Sequence, residues 1–251
     1  MQKTGTTALA KMLDAHPDLA LSKYKEVHFF TKFDQISEIS WLERIKYASH
    51  WHLRNHFSKR LRFEASPAYA FYNEKGPAAL QLISEFKPDI KVICSFRDPV
   101  KRAYSHWNMN RQRGKVGLDF EQVIRQELED EATGRTLRYS YLAQGRYDEI
   151  VDALFQAFPQ EQVYLMTQEA LKHDHDRVLS EIQHFLGVTP HPLPFLVRHQ
   201  RDYIYGPMSP EIEAALRKYF ASSTARFAEM TGLDISSWST APQKNSGHGI
   251  A

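Results

Sequence analysis

The sequence predicts an α/β sandwich, in which a central, mainly parallel sheet is flanked by helices. Short apolar runs alternate with amphipathic stretches over most of the 251 residues, and this alternation is typical of parallel sheets whose strands are joined by helices. The run "DIKVICSF" at 89–96 is short, rich in strand-forming residues and bounded by "KPD" and "RDP", as buried parallel strands are. We therefore expect three layers around one core.

Apolar spacing and proline set the elements of the first half of the chain. Leu9, Met12 and Leu13 lie at helical spacing before "HPD" ends that helix. Pro99 suits the first turn of a helix, where its missing N–H would have no partner anyway. Helices are predicted over 7–16, 36–57, 76–86 and 99–113, and strands over 19–22, 59–66 and 89–96.

The second half continues the alternation. Helices are predicted over 120–131, 145–158, 175–188 and 210–231, and a buried strand with its exit over 162–171. Prolines and aromatic residues between 190 and 210 predict a long wrapped loop. Small polar residues over 239–251 predict a disordered tail, so we place the folded domain at 1–238.

Composition excludes several classes of protein. Because Cys94 is the single cysteine, an intramolecular disulfide and a multi-cysteine zinc site are excluded, which favours a cytoplasmic location. A net charge of +2 gives no reason to expect a nucleic-acid partner. Apolar runs fall short of the ~20 residues that a membrane span needs, and the first thirty residues lack the pattern of a signal peptide.

The stretch "KTGTTAL" at 3–9 is the first candidate anion site. Gly5 allows a tight turn, and the N–H groups at the helix start after it lack carbonyl partners. These donors, the hydroxyls of Thr6 and Thr7 and the charge of Lys3 suit a phosphate group. The lysine precedes the glycine, so the kinase-type phosphate loop GxxxxGK[ST] is not matched. An ordinary threonine-capped helix is the alternative interpretation.

A second candidate lies in "SFRDPVKRAYSHW" at 95–107. Arg97 follows the buried strand, and ligands of open α/β sheets bind outside the carboxyl ends of the strands. Ser105 is two helical turns further, on a face that can look back to the same crevice. A guanidinium and a hydroxyl suit a second phosphate. The alternative is a surface salt bridge between Arg97 and Asp98, with a solvated serine.

These stretches, with "HPDL", "KEVHFF" and "FEASPAY" between them, resemble the sulfotransferases that use 3'-phosphoadenosine 5'-phosphosulfate (PAPS). The branch is that of heparan sulfate and bacterial carbohydrate sulfotransferases. The similarity runs in order from Gln2 to about Trp107 and continues weakly to "YGPMSPEIEAALRKYF". It implies a P-loop-like fold, a sulfotransferase domain over 1–238 and PAPS as cosubstrate without a metal.

The resemblance also assigns residues. Arg97 and Ser105 would hold the 3'-phosphate of the nucleotide. The loop that would hold the 5'-phosphosulfate comprises Lys3, Thr4, Gly5, Thr6 and Thr7.

The reacting centre needs a cation and a base. Negative charge grows on the departing phosphate oxygen, and Lys3 is the predicted catalytic cation. The acceptor loses a proton; the resemblance places the general base at Glu26 and a helper at His28. These two residues would share a face of an extended segment. Otherwise Glu26 is a solvated loop charge and His28 a packing residue.

Several positions depart from the family pattern. Family members carry an apolar strand before the phosphate loop, whereas Met1 directly precedes Gln2 here, so we expect either that the true start lies upstream or that the fold lacks this strand. Ala65 stands where heparan-type members commonly carry a lysine, which disfavours a polyanionic acceptor. By resemblance, Gly145 and Tyr147 would line the acceptor cleft. Arg198 and Arg201 lie in the stretch predicted to cover the nucleotide.

We therefore predict a cytoplasmic sulfotransferase that modifies a hydroxyl or amine of a carbohydrate, lipid or small metabolite. No metal, nucleic-acid partner or membrane span is expected. Two alternatives are a P-loop kinase-type phosphotransferase and a nucleotide-binding protein without turnover.

Overall fold

The computed structural model describes residues 2–52, 61–70, 76–135, 140–196 and 205–242. The helices within these ranges are α1 (Thr6–Asp14), α2 (Trp41–Ala48), α3 (Gly76–Phe86), α4 (Pro99–Gln112), α5 (Phe120–Ala132), α6 (Tyr147–Ala157), α7 (Gln168–His173), α8 (His175–Leu186) and α9 (Pro210–Thr231). The strands are β1 (Leu19–Leu21), β2 (Leu61–Phe63), β3 (Val92–Phe96) and β4 (Val163–Thr167).

The strands form two parallel pairs. β1 pairs with β2, with Leu19 opposite Leu61, and β3 pairs with β4, with Phe96 opposite Thr167. The parallel direction agrees with the prediction. The single sheet of the prediction is instead two separate pairs: residues 2–5 form turns and bends, and no strand in the described ranges joins the two pairs.

Helices cover both faces of the β3–β4 pair. Cys94 and Phe96 of β3 point into one apolar cluster, which includes residues of α3, α6 and α9. Ile93, which directly precedes Cys94 in the strand, packs on another cluster with Met166 and residues of α1 and α8. Since successive side chains of a strand point to opposite faces, the sheet lies between two helical layers. The predicted α/β sandwich is confirmed.

Most element boundaries agree with the sequence prediction. Seven of the predicted helices end within two residues of their predicted limits: α1, α3, α4, α5, α6, α8 and α9. Gly187, at φ 74°, ends α8 as expected. The helix predicted over 36–57 is wrong in its extent. Ser40 caps a shorter helix that starts at Trp41 and ends at Ala48; residues 53–60 lie outside the described ranges.

The domain continues past the predicted boundary at residue 238. The backbone N–H of Ser239 donates to Asp98 Oδ2 at 2.7 Å. Thr240 is buried, and its hydroxyl lies 3.2 Å from that of Thr224. Residues 239 and 240 are therefore packed although their composition predicts a tail, because a backbone N–H and a hydroxyl of this segment bond to buried side chains of the domain. Residues 243–251 lie outside the described ranges.

Within the described part of the chain, every helix is too short or too polar to cross a bilayer.

Candidate functional site

The turn before α1 has the geometry of an anion-binding loop. Lys3 and Gly5 both have left-handed backbones, with φ of 65° and 87°. Gly5 is the N-cap of α1, and no side chain caps the helix. The alternative of an ordinary threonine-capped helix is therefore wrong. The N–H of Ala8 donates to the carbonyl of Gly5 at 3.0 Å, so the amides of Thr6 and Thr7 are the donors of this turn that suit an anion.

Gly5 is required at this turn for two reasons. Its left-handed conformation strains any residue with a Cβ atom, and a Cβ there would lie 3.0 Å from Nε2 of Gln168. Gln168 is the first residue of α7 and directly follows β4. The side chain of Gln168, directly after β4, thus lies close to this turn, a contact between distant segments that the sequence does not predict.

The second predicted segment meets this turn at the carboxyl end of β3. The Ser95 hydroxyl donates to the carbonyl of Thr4 at 2.9 Å. Arg97 Nη1 donates to the carbonyl of Lys3 at 3.3 Å. The two separated stretches of sequence therefore lie side by side, with Arg97 directly beside the turn.

Helix α4 begins at this corner. Asp98 is fully buried and accepts hydrogen bonds from the N–H groups of Val100 and Lys101 at 2.9 and 3.2 Å. The alternative of a surface salt bridge between Arg97 and Asp98 is wrong, because the carboxylate caps the helix instead. Ser105 lies two turns further along α4 and is largely buried.

The predicted base and helper are also brought together. His28 Nε2 lies 3.4 Å from Glu26 Oε2, and Lys25 Nζ lies 2.6 Å from Glu26 Oε1. The side chains of Glu26 and His28 are 37% and 44% exposed, so an acceptor can reach them. His28 has a φ of 53°, and within the described ranges it shares a left-handed backbone only with Lys3 among non-glycine residues. Backbone strain of this kind often occurs at functional sites.

A half-buried carboxylate holds the segment that carries Glu26. Glu64 Oε1 accepts a hydrogen bond from the Tyr47 hydroxyl at 2.8 Å, and Oε2 accepts from Ser66 Oγ at 2.5 Å. Ser66 Oγ in turn accepts from the N–H of Val27 at 2.9 Å. Burial, and next the charge of Glu64, raise the pKa of Tyr47, so its hydroxyl remains a donor. The sequence analysis quoted "FEASPAY" without recognising this role of its glutamate.

Two buried basic side chains, Arg102 and His106, lie near the turn at Lys3 and the strand end at Arg97, which together we call the nucleotide corner. Burial, and next the positive charges of Arg102 and Lys3, lower the pKa of His106 to about 3. His106 is therefore neutral at physiological pH, one residue after Ser105. Arg102 is fully buried and donates to the carbonyl of Tyr141, and burial lowers its pKa.

Two positions predicted to line the acceptor cleft belong to the core. Tyr147 is buried, and its hydroxyl donates to the carbonyl of Arg97 at 2.8 Å. A Cβ atom on Gly145 would lie 2.4 Å from Phe220 Cε1, so this glycine is needed for close packing. Both predictions are wrong, because the start of α6 faces inward. Arg198 and Arg201 lie outside the described residues.

The donor set suits an anionic ligand with two phosphate-type groups. Lys3, the turn amides, Arg97 and Ser105 are donors, and the neighbouring carboxylate of Asp98 is already engaged in capping α4. These residues fit the nucleotide that the sequence resemblance implies. Among the described residues, no group of three or more His, Cys, Asp or Glu side chains could hold a metal ion.

Comparison with protein families gives one match over most of the chain. The family model described as "Sulfotransferase domain" matches residues 1–213.

Curated relatives share the same type of activity in their names. The chain is 29% identical over 198 residues to the human bifunctional heparan sulfate N-deacetylase/N-sulfotransferase 3, which covers 76% of this chain and 22% of the relative. It is 28% identical over 203 residues to the Drosophila melanogaster bifunctional heparan sulfate N-deacetylase/N-sulfotransferase, in an alignment that covers 75% of this chain and 19% of the relative. The chain thus spans about a fifth of the length of these relatives.

Solved structures with this fold are also sulfotransferases. The sulfotransferase from Alicyclobacillus acidocaldarius matches with a TM-score of 0.75 at 26% identity, over 94% of this chain and 95% of that one. The mouse sulfotransferase SULT7A1, solved in complex with PAP, matches in fold with a TM-score of 0.51 at 16% identity, over 89% and 81% of the two chains.

Proposed function

Since the chain belongs to the sulfotransferase family, we propose that it transfers the sulfuryl group of PAPS to a hydroxyl or amine of a carbohydrate. One observation carries the proposal: Arg97 Nη1 donates to the carbonyl of Lys3 at 3.3 Å. This contact joins the two cation-bearing segments at the carboxyl end of β3, where ligands of α/β sheets bind. A kinase-type phosphotransferase is disfavoured by the family match and by the order of lysine and glycine.

Each end of the nucleotide has a set of donors. Lys3, with the amides and hydroxyls of Thr6 and Thr7, would bind the 5'-phosphosulfate. Arg97 and Ser105 would bind the 3'-phosphate. Bound there, PAPS supplies the sulfuryl group. The ammonium of Lys3 would stabilise the negative charge that develops on the phosphate oxygen during transfer.

The acceptor side is proposed to work through Glu26. Its carboxylate would remove the proton of the acceptor hydroxyl or amine as the new bond forms. Lys25 and His28 each contact one oxygen of this carboxylate, and these contacts orient it towards solvent. A carbohydrate acceptor is supported by the names of the heparan sulfate N-sulfotransferase relatives. Ala65 argues for a less anionic sugar than heparan sulfate.

The test is a transfer assay with radiolabelled PAPS. Purified protein is incubated with amino sugars and with neutral oligosaccharides, and products are identified by mass spectrometry through the gain of one SO3 group. We expect transfer without added magnesium. Binding of 3'-phosphoadenosine 5'-phosphate (PAP) with no transfer to any acceptor would favour a nucleotide-binding protein without turnover; transfer of phosphate from ATP would favour a kinase.

We further propose a cytoplasmic location, supported by the use of a single cysteine, which is buried and free. Fractionation of the native host cells tests this. Activity in the soluble cytoplasmic fraction is expected, and activity confined to membranes or to the medium would contradict it.

A further inference from the structure

Residues 234–241, which we call the C-terminal strap, fold back from the end of α9 onto the core below Arg97. Ile235 and Trp238 are buried. The Trp238 ring stacks on Phe227 with 5.5 Å between ring centroids, and it meets the ring of Tyr147 edge-on at 5.8 Å. The strap is therefore packed into the main apolar cluster.

Two hydrogen bonds connect the strap to both halves of the nucleotide corner. The Ser239 N–H donates to Asp98 Oδ2 at 2.7 Å, and Asp98 directly follows Arg97. The Trp238 indole N–H donates to Glu169 Oε2 at 3.1 Å. Glu169 directly follows Gln168, whose side chain lies close to the turn at Gly5.

Asp98 divides its two oxygens between the helix and the strap. Oδ1 accepts the N–H of Val100 at 2.9 Å and caps α4. Oδ2 accepts the N–H of Ser239 and also lies 3.9 Å from the ammonium of Lys101. Since the side chain is fully buried, these donors compensate the loss of water around the charge. The strap thus fixes a carboxylate next to Arg97.

The carbonyl of Arg97 is held from the same side. It accepts the Tyr147 hydroxyl at 2.8 Å, and Tyr147 packs against Trp238 of the strap. The backbone of Arg97 is therefore fixed at its own carbonyl and at the next residue. The guanidinium itself donates to the carbonyl of Lys3, and a side chain restricted at both ends loses less conformational entropy when it binds an anion.

We propose that the C-terminal strap is a positioning element for Arg97 and sets the affinity of the site for the 3'-phosphate of the nucleotide. The inference rests on the proposed function, because it takes Arg97 to be the 3'-phosphate ligand. The strap itself does not contact the reacting atoms. Its residues are positioning residues, and their effect should be specific to the 3'-phosphate.

The test compares PAP with adenosine 5'-phosphate, which lacks the 3'-phosphate, by isothermal titration calorimetry or ligand competition. Ser239→Pro removes the N–H that binds Asp98, and Ser239→Ala keeps it. The Ser239 hydroxyl is buried without a partner in the described structure, so Ser239→Ala leaves no group unpaired. Ser239→Pro should weaken PAP about two- to tenfold, the range that corresponds to the entropic cost of immobilising one long side chain on binding. Adenosine 5'-phosphate should bind both variants as it binds wild type.

Asp98→Asn provides a second route to the same contact. Asparagine is a good N-cap, so its carbonyl oxygen can still accept from Val100. Its NH2 group would then face the N–H of Ser239, two donors that cannot bond to each other. The ratio of the PAP and adenosine 5'-phosphate dissociation constants should change in the same direction as in Ser239→Pro. In the transfer assay, KM for PAPS should rise while KM for the acceptor is unchanged.

A stability-matched control separates positioning from general loosening of the fold. Ile182→Val leaves a small cavity in the cluster formed by α8 and α1, away from the strap, at a cost comparable to one lost hydrogen bond, and should leave the nucleotide ratio at the wild-type value. The strap inference is overturned if Ser239→Pro and Asp98→Asn bind PAP as wild type does, or if they weaken both nucleotides equally. Failure of wild type to bind PAP would overturn the proposed function, and the inference with it.

Discussion

The proposed nucleotide corner (Lys3, Gly5 and Arg97 with their neighbours) and the proposed acceptor corner (Glu26 and His28) are built in opposite ways. At the nucleotide corner, Arg97 and Ser95 bond to backbone carbonyls of the phosphate turn, and Asp98 beside them is fully buried. At the acceptor corner, Glu26 and His28 keep more than a third of their side chains exposed. The first corner is therefore formed before ligand binds, whereas the second presents its groups to solvent.

This difference implies that binding and turnover can be separated by mutation. The nucleotide corner depends on contacts between backbone segments, so changes there should alter nucleotide affinity. The acceptor corner depends on the exposed carboxylate of Glu26. The segment that carries Glu26 is held by Glu64 through its hydrogen bonds with Tyr47 and Ser66. Changes to Glu26 itself should therefore alter the rate and leave the nucleotide site intact.

Glu26→Gln is the sharpest test of this separation and has the largest expected effect. The amide has nearly the same shape but cannot take a proton, so kcat should fall about 10²- to 10⁴-fold. The measurement is steady-state transfer of radiolabelled sulfate. The dissociation constant for PAP, measured by calorimetry, should equal that of wild type. A variant with full turnover would remove Glu26 as the base.

Lys3→Ala should affect both nucleotide binding and turnover. Lys3 belongs to the nucleotide corner and is also proposed to stabilise the charge that develops during transfer. Loss of one preorganised donor at such a position lowers kcat by about 10²- to 10³-fold. Steady-state assays at saturating PAPS measure this. Lys3→Arg is the control, since it keeps the charge. An unchanged kcat in Lys3→Ala, with only a higher KM for PAPS, would assign Lys3 to binding alone.

Arg97→Ala should act on affinity and little on turnover. Removal of a charge-assisted hydrogen bond costs about 1.5 to 3 kcal/mol, which corresponds to roughly a 10- to 150-fold weaker dissociation constant for PAP. Calorimetry with PAP measures this, and adenosine 5'-phosphate is the control ligand because it lacks the 3'-phosphate. If PAP binds Arg97→Ala as tightly as wild type, the 3'-phosphate assignment is wrong.

The sequence predicted the nucleotide corner better than the acceptor corner. From 92 to 112 a strand, an arginine, a proline and an amphipathic helix follow one another directly. Because these elements form from neighbouring residues, their sequence pattern predicts the local structure. The proximity of Lys3 and Arg97 followed from the rule that ligands bind at the carboxyl ends of parallel strands.

Contacts between residues far apart in the chain could not be predicted from local sequence patterns. The support of Val27 by Ser66 and Glu64 joins residues almost forty positions apart. The strap contact between Ser239 and Asp98 joins residues 141 positions apart, and its polar composition suggested a tail. Tyr147 was assigned to a cleft by resemblance, yet it is buried because α6 packs its first turn against Phe96. Tertiary packing decided each of these cases.

Gly5→Ala tests whether the nucleotide corner is preformed by its backbone. A left-handed residue with a Cβ atom costs about 1–2 kcal/mol, and the new Cβ would also lie 3.0 Å from Gln168 Nε2. The free energy of unfolding, measured with urea, should fall by this amount. Gly117→Ala is the matched control, because a Cβ there meets nothing within 4 Å and the backbone φ is not left-handed. Equal effects of the two substitutions would contradict the turn geometry.

The smallest expected effect concerns the buried layer below the nucleotide corner. Burial, then the charges of Arg102, Lys3, Arg113 and Lys115, lower the pKa of His106 to about 3. Its pKa in the unfolded chain is about 6.5. Between these values the unfolded state binds more protons, so the free energy of unfolding falls as the pH falls from 6.5 towards 3.

His106→Phe should remove this contribution. Through His106, the free energy of unfolding of wild type should be about 1.4 kcal/mol lower at pH 5.5 than at pH 7.5. The variant lacks the imidazole and should not show this decrease. Carboxylates also titrate in acid, so the readout is the difference between the two curves of unfolding free energy against pH, measured with urea. A constant loss of packing energy in the variant shifts its whole curve of unfolding free energy and leaves the slope against pH unchanged. Parallel curves of wild type and variant would therefore show that His106 binds its proton equally in the folded and unfolded states.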